Sequence, residues 1–244
     1  AKLYRQSVFV SGQTQGICKN IQQRFPEVKT YWLPNGVDLS YYNPSETQAG
    51  NWRPKQGFTV DDVLFLYAGI IGIAQGLEVI LKAAKALQDN KRLKFVLMGS
   101  GPEKQKLERL KTEWALNNVF FLDAVTKTEM PEVLKSVNAS IIPLRKLELF
   151  LGAIPSKIFE SLAMELPILL GVDGEARDLF IHQGQCGYYF EPENEEALVS
   201  AIRELCSDSG NFTKFGKNGR TYVQRQFDRE KIAHAFMEEL KKYE

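Results

Sequence analysis

The chain has 244 residues, 44% of them hydrophobic and 25% charged, enough for one large globular domain or one domain with part of another. Its 31 Lys and Arg nearly balance 30 Asp and Glu, which excludes the overall basic field that draws a protein to nucleic acid. The three cysteines, Cys18, Cys186 and Cys206, are widely spaced without a metal- or redox-type pair, and no apolar run reaches the roughly 18 to 20 residues of a membrane span, so the expected setting is the reducing cytoplasm.

The chain opens in what reads as the middle of a unit, as expected of a piece of a longer polypeptide. Residues 7–10 predict a short strand, 16–25 a helix, and 30–33 a strand that stops at Pro34-Asn35-Gly36. Residues 40–57 carry Asn43-Pro44-Ser45, Gly50 and Pro54 without apolar periodicity and read as a linker at a domain boundary. Beyond it, apolar runs at 63–68, 93–98, 119–122, 139–144, 167–172 and 187–190 alternate with helical stretches. Near-continuous apolar strands of this kind lie in sheets covered on both faces. The expected fold class is therefore α/β, a doubly wound, Rossmann-like parallel sheet preceded by a short α/β remnant. Asn138-Ala139-Ser140 and Asn211-Phe212-Thr213 match the glycosylation pattern, but three-residue patterns recur by chance and nothing is built on them. Helices are expected near 194–206, 211–225 and 229–243, the last gathering Ile232, Phe236 and Leu240 in one stripe that needs an apolar surface beneath it.

Ligands of open α/β sheets collect beyond the carboxyl ends of the strands. There the sequence places Gly69, Gly72, Gln75 and Gly76 after the first strand, Gly99-Ser100-Gly101-Pro102 after the second and Val125 after the third. Arg145 and Lys146 follow the fourth strand, and Gly171, Gly174 and Glu175 the fifth. Glycines let a backbone approach a pyrophosphate, but this spacing is not G-x-G-x-x-G, and each loop is equally a tight strand-to-helix turn. The most informative stretch is Pro155-Ser156-Lys157-Ile158-Phe159-Glu160. Pro155 suits a first helical turn, Ser156 is placed to cap it, and Lys157 and Glu160 fall near each other on one face. A cation at an anion-binding helix end with a carboxylate one turn on suits a phosphorylated sugar. His182 and His234 lack partners for nucleophilic or metal chemistry, and Asp61-Asp62 precedes a strand, so no metal site and no cofactor are implied.

Several segments, in order, resemble the nucleotide-sugar glycosyltransferases of the two-domain GT-B fold, family 4, and within it the WbuB-like surface-polysaccharide transferases. They are Leu33-Pro34-Asn35-Gly36-Val37-Asp38, Tyr67-Ala68-Gly69 with Gly72 and Ala74-Gln75-Gly76-Leu77-Glu78, Met98-Gly99-Ser100-Gly101-Pro102, residues 154–160, Gly174-Glu175-Ala176-Arg177, Cys186-Gly187 and Phe227-Asp228-Arg229-Glu230-Lys231. The resemblance implies that residues 1–38 are the tail of an acceptor-binding domain, 39–57 a linker, 58–228 the domain that binds the activated sugar, and 229–244 a helix returning to the absent N-terminal half, leaving an exposed apolar patch. It also implies that Gly69 and Gly72 approach the donor phosphates, that Gly101 and Val125 lie near the nucleotide, and that Lys157 neutralises the pyrophosphate. Glu160 matches the second member of the family's E-x7-E pair, which contacts the ribose and the transferred sugar. Retention of configuration, independence from metal, a UDP-sugar donor and a polysaccharide or lipid-linked acceptor at the inner face of the cytoplasmic membrane are further implications.

The sequence departs from the family at three places. Gly152 stands where the first glutamate of the pair belongs, and Ile70 and Gln75 stand where an arginine and a lysine grip the phosphates. Lys157 is then expected to carry more of the phosphate charge, with Gln75, Arg145 and Lys146 as helpers, and no residue is assigned a catalytic role. Three other classes compete: a non-catalytic nucleotide-sugar binding module, a sugar-nucleotide epimerase of the same fold, and a dinucleotide-dependent oxidoreductase. The epimerase lacks a well-placed histidine and the oxidoreductase a complete phosphate fingerprint.

Overall fold

The computed structural model describes residues 2–48 and 50–243. A short helix α1 (Lys2–Gln6) leads into β1 (Val10–Gly12), α2 (Gln15–Arg24) and β2 (Thr30–Trp32), the two strands pairing in parallel. The first strand lies later than the apolar run 7–10 suggests, because Val10 bonds across to Lys29 and Val8 is exposed. Thr14 caps α2 by accepting a bond from the Ile17 N–H at 3.2 Å.

The segment read as a linker is packed rather than solvated. It contains α3 (Trp52–Lys55), and Tyr42, Trp52 and Phe58 are all buried in the core. Arg53 holds it down, donating to the Ser136 carbonyl at 2.6 Å, the Asp62 carbonyl at 2.9 Å and Asn138 Oδ1 at 2.8 Å. Asn138 Oδ1 also accepts the Leu64 N–H, so this asparagine is a part-buried structural group.

The main domain alternates β3 (Val63–Ala68), α4 (Glu78–Ala86), β4 (Leu93–Met98), α5 (Lys104–Glu113), β5 (Val119–Leu122), α6 (Met130–Ser136), β6 (Ala139–Pro143), α7 (Lys157–Ala163), β7 (Ile168–Gly171), α8 (Glu175–Arg177) and β8 (Gly187–Tyr189). The helices α9 (Glu195–Cys206), α10 (Gly210–Gln226) and α11 (Arg229–Leu240) follow. The six strands from β3 onward form one parallel sheet in the order β5-β4-β3-β6-β7-β8. Along β3, Leu64 and Leu66 enter one hydrophobic core while Phe65 and Tyr67 enter the other, the alternation expected of a sheet covered on both faces.

Strand order reverses between β3 and β6, which is the topological switch point where open sheets take ligands. These two strands pair only at Phe65 with Ala139 and Leu66 with Ser140, whereas β3 and β4 pair over their whole length. The carboxyl ends of β3 and β6 are thus free of each other, and a crevice opens between them.

Two stitches join the first unit to the main domain at the crossing point. Val37 donates to the Phe227 carbonyl at 2.9 Å, and its own carbonyl accepts the Arg229 N–H at 3.1 Å. Helix α11 returns across β1 and β2, with Phe236 packing edge-on against Phe9 and tilted against Tyr31, and Lys29 pairing with Glu239. The expected bare stripe is accordingly half covered: Ile232 and Phe236 are partly buried, and Leu240 is the more exposed member. Arg220 on α10 is a third tie, donating to the carbonyls of Tyr42 at 2.6 Å, Ala163 at 2.7 Å and Leu39 at 3.3 Å. Arg220→Ala leaves these part-buried carbonyls without a donor and is expected to lower stability by about 2 kcal/mol in urea unfolding, with Arg220→Lys recovering only part because one ammonium cannot span the fork.

Candidate functional site

The crevice at the β3/β6 switch holds a cavity of about 390 Å³ lined by Tyr67 on β3, by Gly69, Ile70 and Gln75 after it, by Ser140 to Ile142 on β6, and by Pro155, Ser156, Lys157, Glu160 and Ser161. Four of the residues expected from sequence, Gly69, Gln75, Lys157 and Glu160, are therefore brought together. Lys157 is the first residue of α7 and points into the crevice. Its Nζ stands 3.9 Å above the centre of the Tyr67 ring and 2.8 Å from where a Cβ on Gly69 would be, so Gly69 leaves room for the ammonium. A desolvated cation over an aromatic face gains about 2 kcal/mol. Tyr67 is buried and its hydroxyl donates to the Ile70 carbonyl at 2.5 Å, which fixes the loop. Burial outweighs the Glu160 charge and brings the Lys157 pKa down to about 8. Lysine 157 is thus a cation held partly out of water without a carboxylate within ion-pair distance among the described residues. An anion entering the cavity meets an unspent charge.

Ser156 does not cap α7: its side chain makes no capping bond, and the residue is already helical in backbone. Glu160 lies one turn into α7 between this cavity and a second one of about 630 Å³, which the crossing segment 33–38 lines together with Tyr42, Lys127 and Arg229. Burial lifts the Glu160 carboxyl above the usual carboxylate range, a shift partly offset by the Tyr42 hydroxyl and by the Lys127, Lys157 and Arg229 charges. The sequence reading missed Tyr67, Tyr42, Lys127 and Arg229. Tyr67 and Arg229 stand in two of the segments that carry the family resemblance, whereas Tyr42 and Lys127 come from remote segments that carried no signal.

Other expected residues fall elsewhere. Arg145 and Lys146 do not line this cavity and each pairs with a carboxylate at the surface, Arg145 Nε standing 3.4 Å from Glu193 and Lys146 Nζ 2.5 Å from Glu191. Gly72 lines a neighbouring cavity of about 300 Å³ with Arg145 and Glu193. Val125 packs against the core beyond β5. Gly101 is clamped to the first loop, where the Ile71 N–H donates to Ser100 and the Ile71 carbonyl accepts the Glu103 N–H. At the arginine position, Ile70 is 68% exposed and offers no charge.

The profile of the glycosyl transferases group 1 family matches residues 48–222. This chain belongs to that family. Among its curated relatives, the putative colanic acid biosynthesis glycosyl transferase WcaI of Escherichia coli K12 is 28% identical over 91% of the chain and 54% of its own length. The putative teichuronic acid biosynthesis glycosyltransferase TuaC of Bacillus subtilis is 24% identical over 83% of the chain and 48% of its own length. The group 1 chain thus spans about half the length of the curated relatives it matches. The same GT-B fold recurs in sucrose-phosphate synthase of Thermosynechococcus elongatus, with a TM-score of 0.83 at 20% identity over 99% of this chain and 60% of that one. Anabaena HepE, solved with UDP and glucose, gives 0.81 at 19% identity over 98% of this chain and 64% of its own. No helix among the described residues is long and apolar enough to cross a membrane.

Proposed function

We propose that this chain is the donor-binding half of a glycosyltransferase that moves a sugar from a UDP-sugar to a polysaccharide or lipid-linked acceptor, with retention and without a metal, an N-terminal acceptor domain supplying the other wall of the cleft. The observation that carries the reading is Lys157, a desolvated and unpaired ammonium at the strand-order switch, next to Gly69. Transfer from a nucleotide sugar leaves a diphosphate, and a preorganised cation in a low-dielectric site stabilises that developing charge. Gln75 adds a neutral donor from the same cavity, Glu160 faces the ribose, and Gly72, Gly101 and Val125, outside that cavity, keep the roles the resemblance implies, Gly72 near the phosphates and Gly101 and Val125 near the nucleotide. HepE was solved with UDP and glucose, which supports UDP among the possible nucleotides.

A calorimetric or thermal-shift screen of this chain against UDP, GDP, CDP and dTDP, in EDTA, tests it. UDP alone is expected to stabilise the protein clearly; no response to any nucleotide refutes the reading. The second reading, a non-catalytic binding module, is favoured by Gly152 and Ile70 at positions where the family carries charge. Joining the upstream half and finding no transfer, despite intact UDP binding, would select it.

A further inference from the structure

The floor of the crevice carries a polar pair that its walls do not call for. Ser140 stands on the last rung that joins β6 to β3, where the two strands part and the crevice begins. Its hydroxyl lies 2.8 Å from that of Ser161 on α7, and both residues line the cavity that holds Lys157 and Glu160. The walls beside them are apolar, formed by Leu66, Met130, Leu134 and Ile142. Ser140 is 4% exposed and Ser161 2%. A hydroxyl donates one hydrogen bond and accepts two, so the single bond between the pair spends one of their two protons. The other proton has no acceptor among the described residues. Ser161 does not turn back to the carbonyl one turn earlier, as Ser136 does to that of Glu132 at 2.7 Å. Buried polar groups are almost always satisfied, and leaving one unmatched in apolar surroundings is costly. A spare donor at the bottom of an open cavity is therefore a place for a polar atom of the ligand.

The rest of the cavity narrows which atom that is. Lys157 and Ser161 are four apart on α7 with Glu160 between them, so one helical turn presents a cation, a carboxylate and a hydroxyl. A phosphate belongs with the ammonium and not against apolar walls. A ligand hydroxyl complements the serine pair, because each side can donate and accept at once. The ribose of the proposed donor, set against Glu160, carries such hydroxyls. We infer that Ser140 and Ser161 form a subsite for the 2′-hydroxyl of that ribose, so that the cavity selects ribonucleotides over 2′-deoxyribonucleotides. The ribose assignment rests on the donor-half reading; the unmatched buried proton does not. An analogue without the hydroxyl leaves that proton unmatched in the complex, a loss of about tenfold in affinity.

The test is calorimetric titration of the whole chain with UDP, 2′-deoxy-UDP and inorganic pyrophosphate, with thermal unfolding alongside. The parent protein is expected to bind UDP at least tenfold more tightly than 2′-deoxy-UDP. Ser161→Ala should bring the two nucleotides within threefold of each other while pyrophosphate affinity stays within twofold, and Ser140→Ala, a change on the other element, should narrow the ratio likewise. Lys157→Ala should weaken all three ligands and leave the ratio as it was. A tenfold preference kept in both serine variants overturns the subsite. So does a variant that melts earlier yet loses UDP and 2′-deoxy-UDP in proportion, which is what a pair that only ties β6 to α7 would give. If the parent binds UDP and 2′-deoxy-UDP equally, the subsite is removed and the donor reading stands. If the parent binds no UDP, the donor reading fails and the ribose assignment fails with it.

Discussion

Lys157→Ala is expected to weaken UDP binding tenfold or more by calorimetry at pH 7. A hydrogen bond to a charged group is worth roughly 1.5 to 3 kcal/mol, and tenfold in affinity is about 1.4 kcal/mol. Arg145 and Lys146 pair with Glu193 and Glu191 and do not line this cavity, so they are not expected to replace it. The pH dependence gives a sharper signature. With its pKa brought down to about 8, Lys157 loses its proton in the folded state well below the unfolded lysine value of 10.5. Between those limits the unfolded chain binds more protons, so this group raises the stability of the unliganded protein as pH climbs from about 8 toward 10.5. Nucleotide affinity moves the other way, because the diphosphate needs the ammonium, and falls as pH rises past 8. Opposite slopes in one window, both flattened in Lys157→Ala, are not expected of a lysine that merely packs against Tyr67. Unchanged UDP affinity in the variant would remove Lys157 from the site.

The strands were readable because their apolar runs are continuous: 63–68, 93–98 and 119–122 coincide with β3, β4 and β5. Hydrophobic burial on two faces leaves no alternation to misread. The segment 40–57 was harder. Its Trp52 and Tyr42 are single apolar residues among turn formers, and what fixes them is Arg53 and Arg220, whose partners lie far along the chain. At the site, Lys157 and Glu160 were legible because one short helix carries both. Arg145 and Lys146 show the converse: a cation's sign is written in the sequence, but its pairing with Glu193 or Glu191 is a tertiary fact.

Gly101→Ala is expected to cost about 3 kcal/mol of stability, a fall of roughly 6 to 12 °C in Tm for a chain of this size. Two causes add. Gly101 has φ +154°, and a Cβ there would overlap the Ile71 carbonyl oxygen and lie 2.7 Å from its carbon. The obstacle is backbone, held by the bonds between Ile71 and Ser100 and Glu103, so it cannot swing aside as a side chain would. Gly57→Ala separates the two causes, since Gly57 has φ +79° with nothing within 4 Å of its Cβ; only the conformational strain, about 1 kcal/mol, should appear. The pair also decides why the second loop needs glycine. Were Gly101 there solely to let a nucleotide approach, alanine would spare the Tm and abolish UDP binding. Locking the loops after β3 and β4 together instead makes stability the first casualty, and UDP binding suffers only through displacement of the neighbouring Gly69, against which Lys157 is placed.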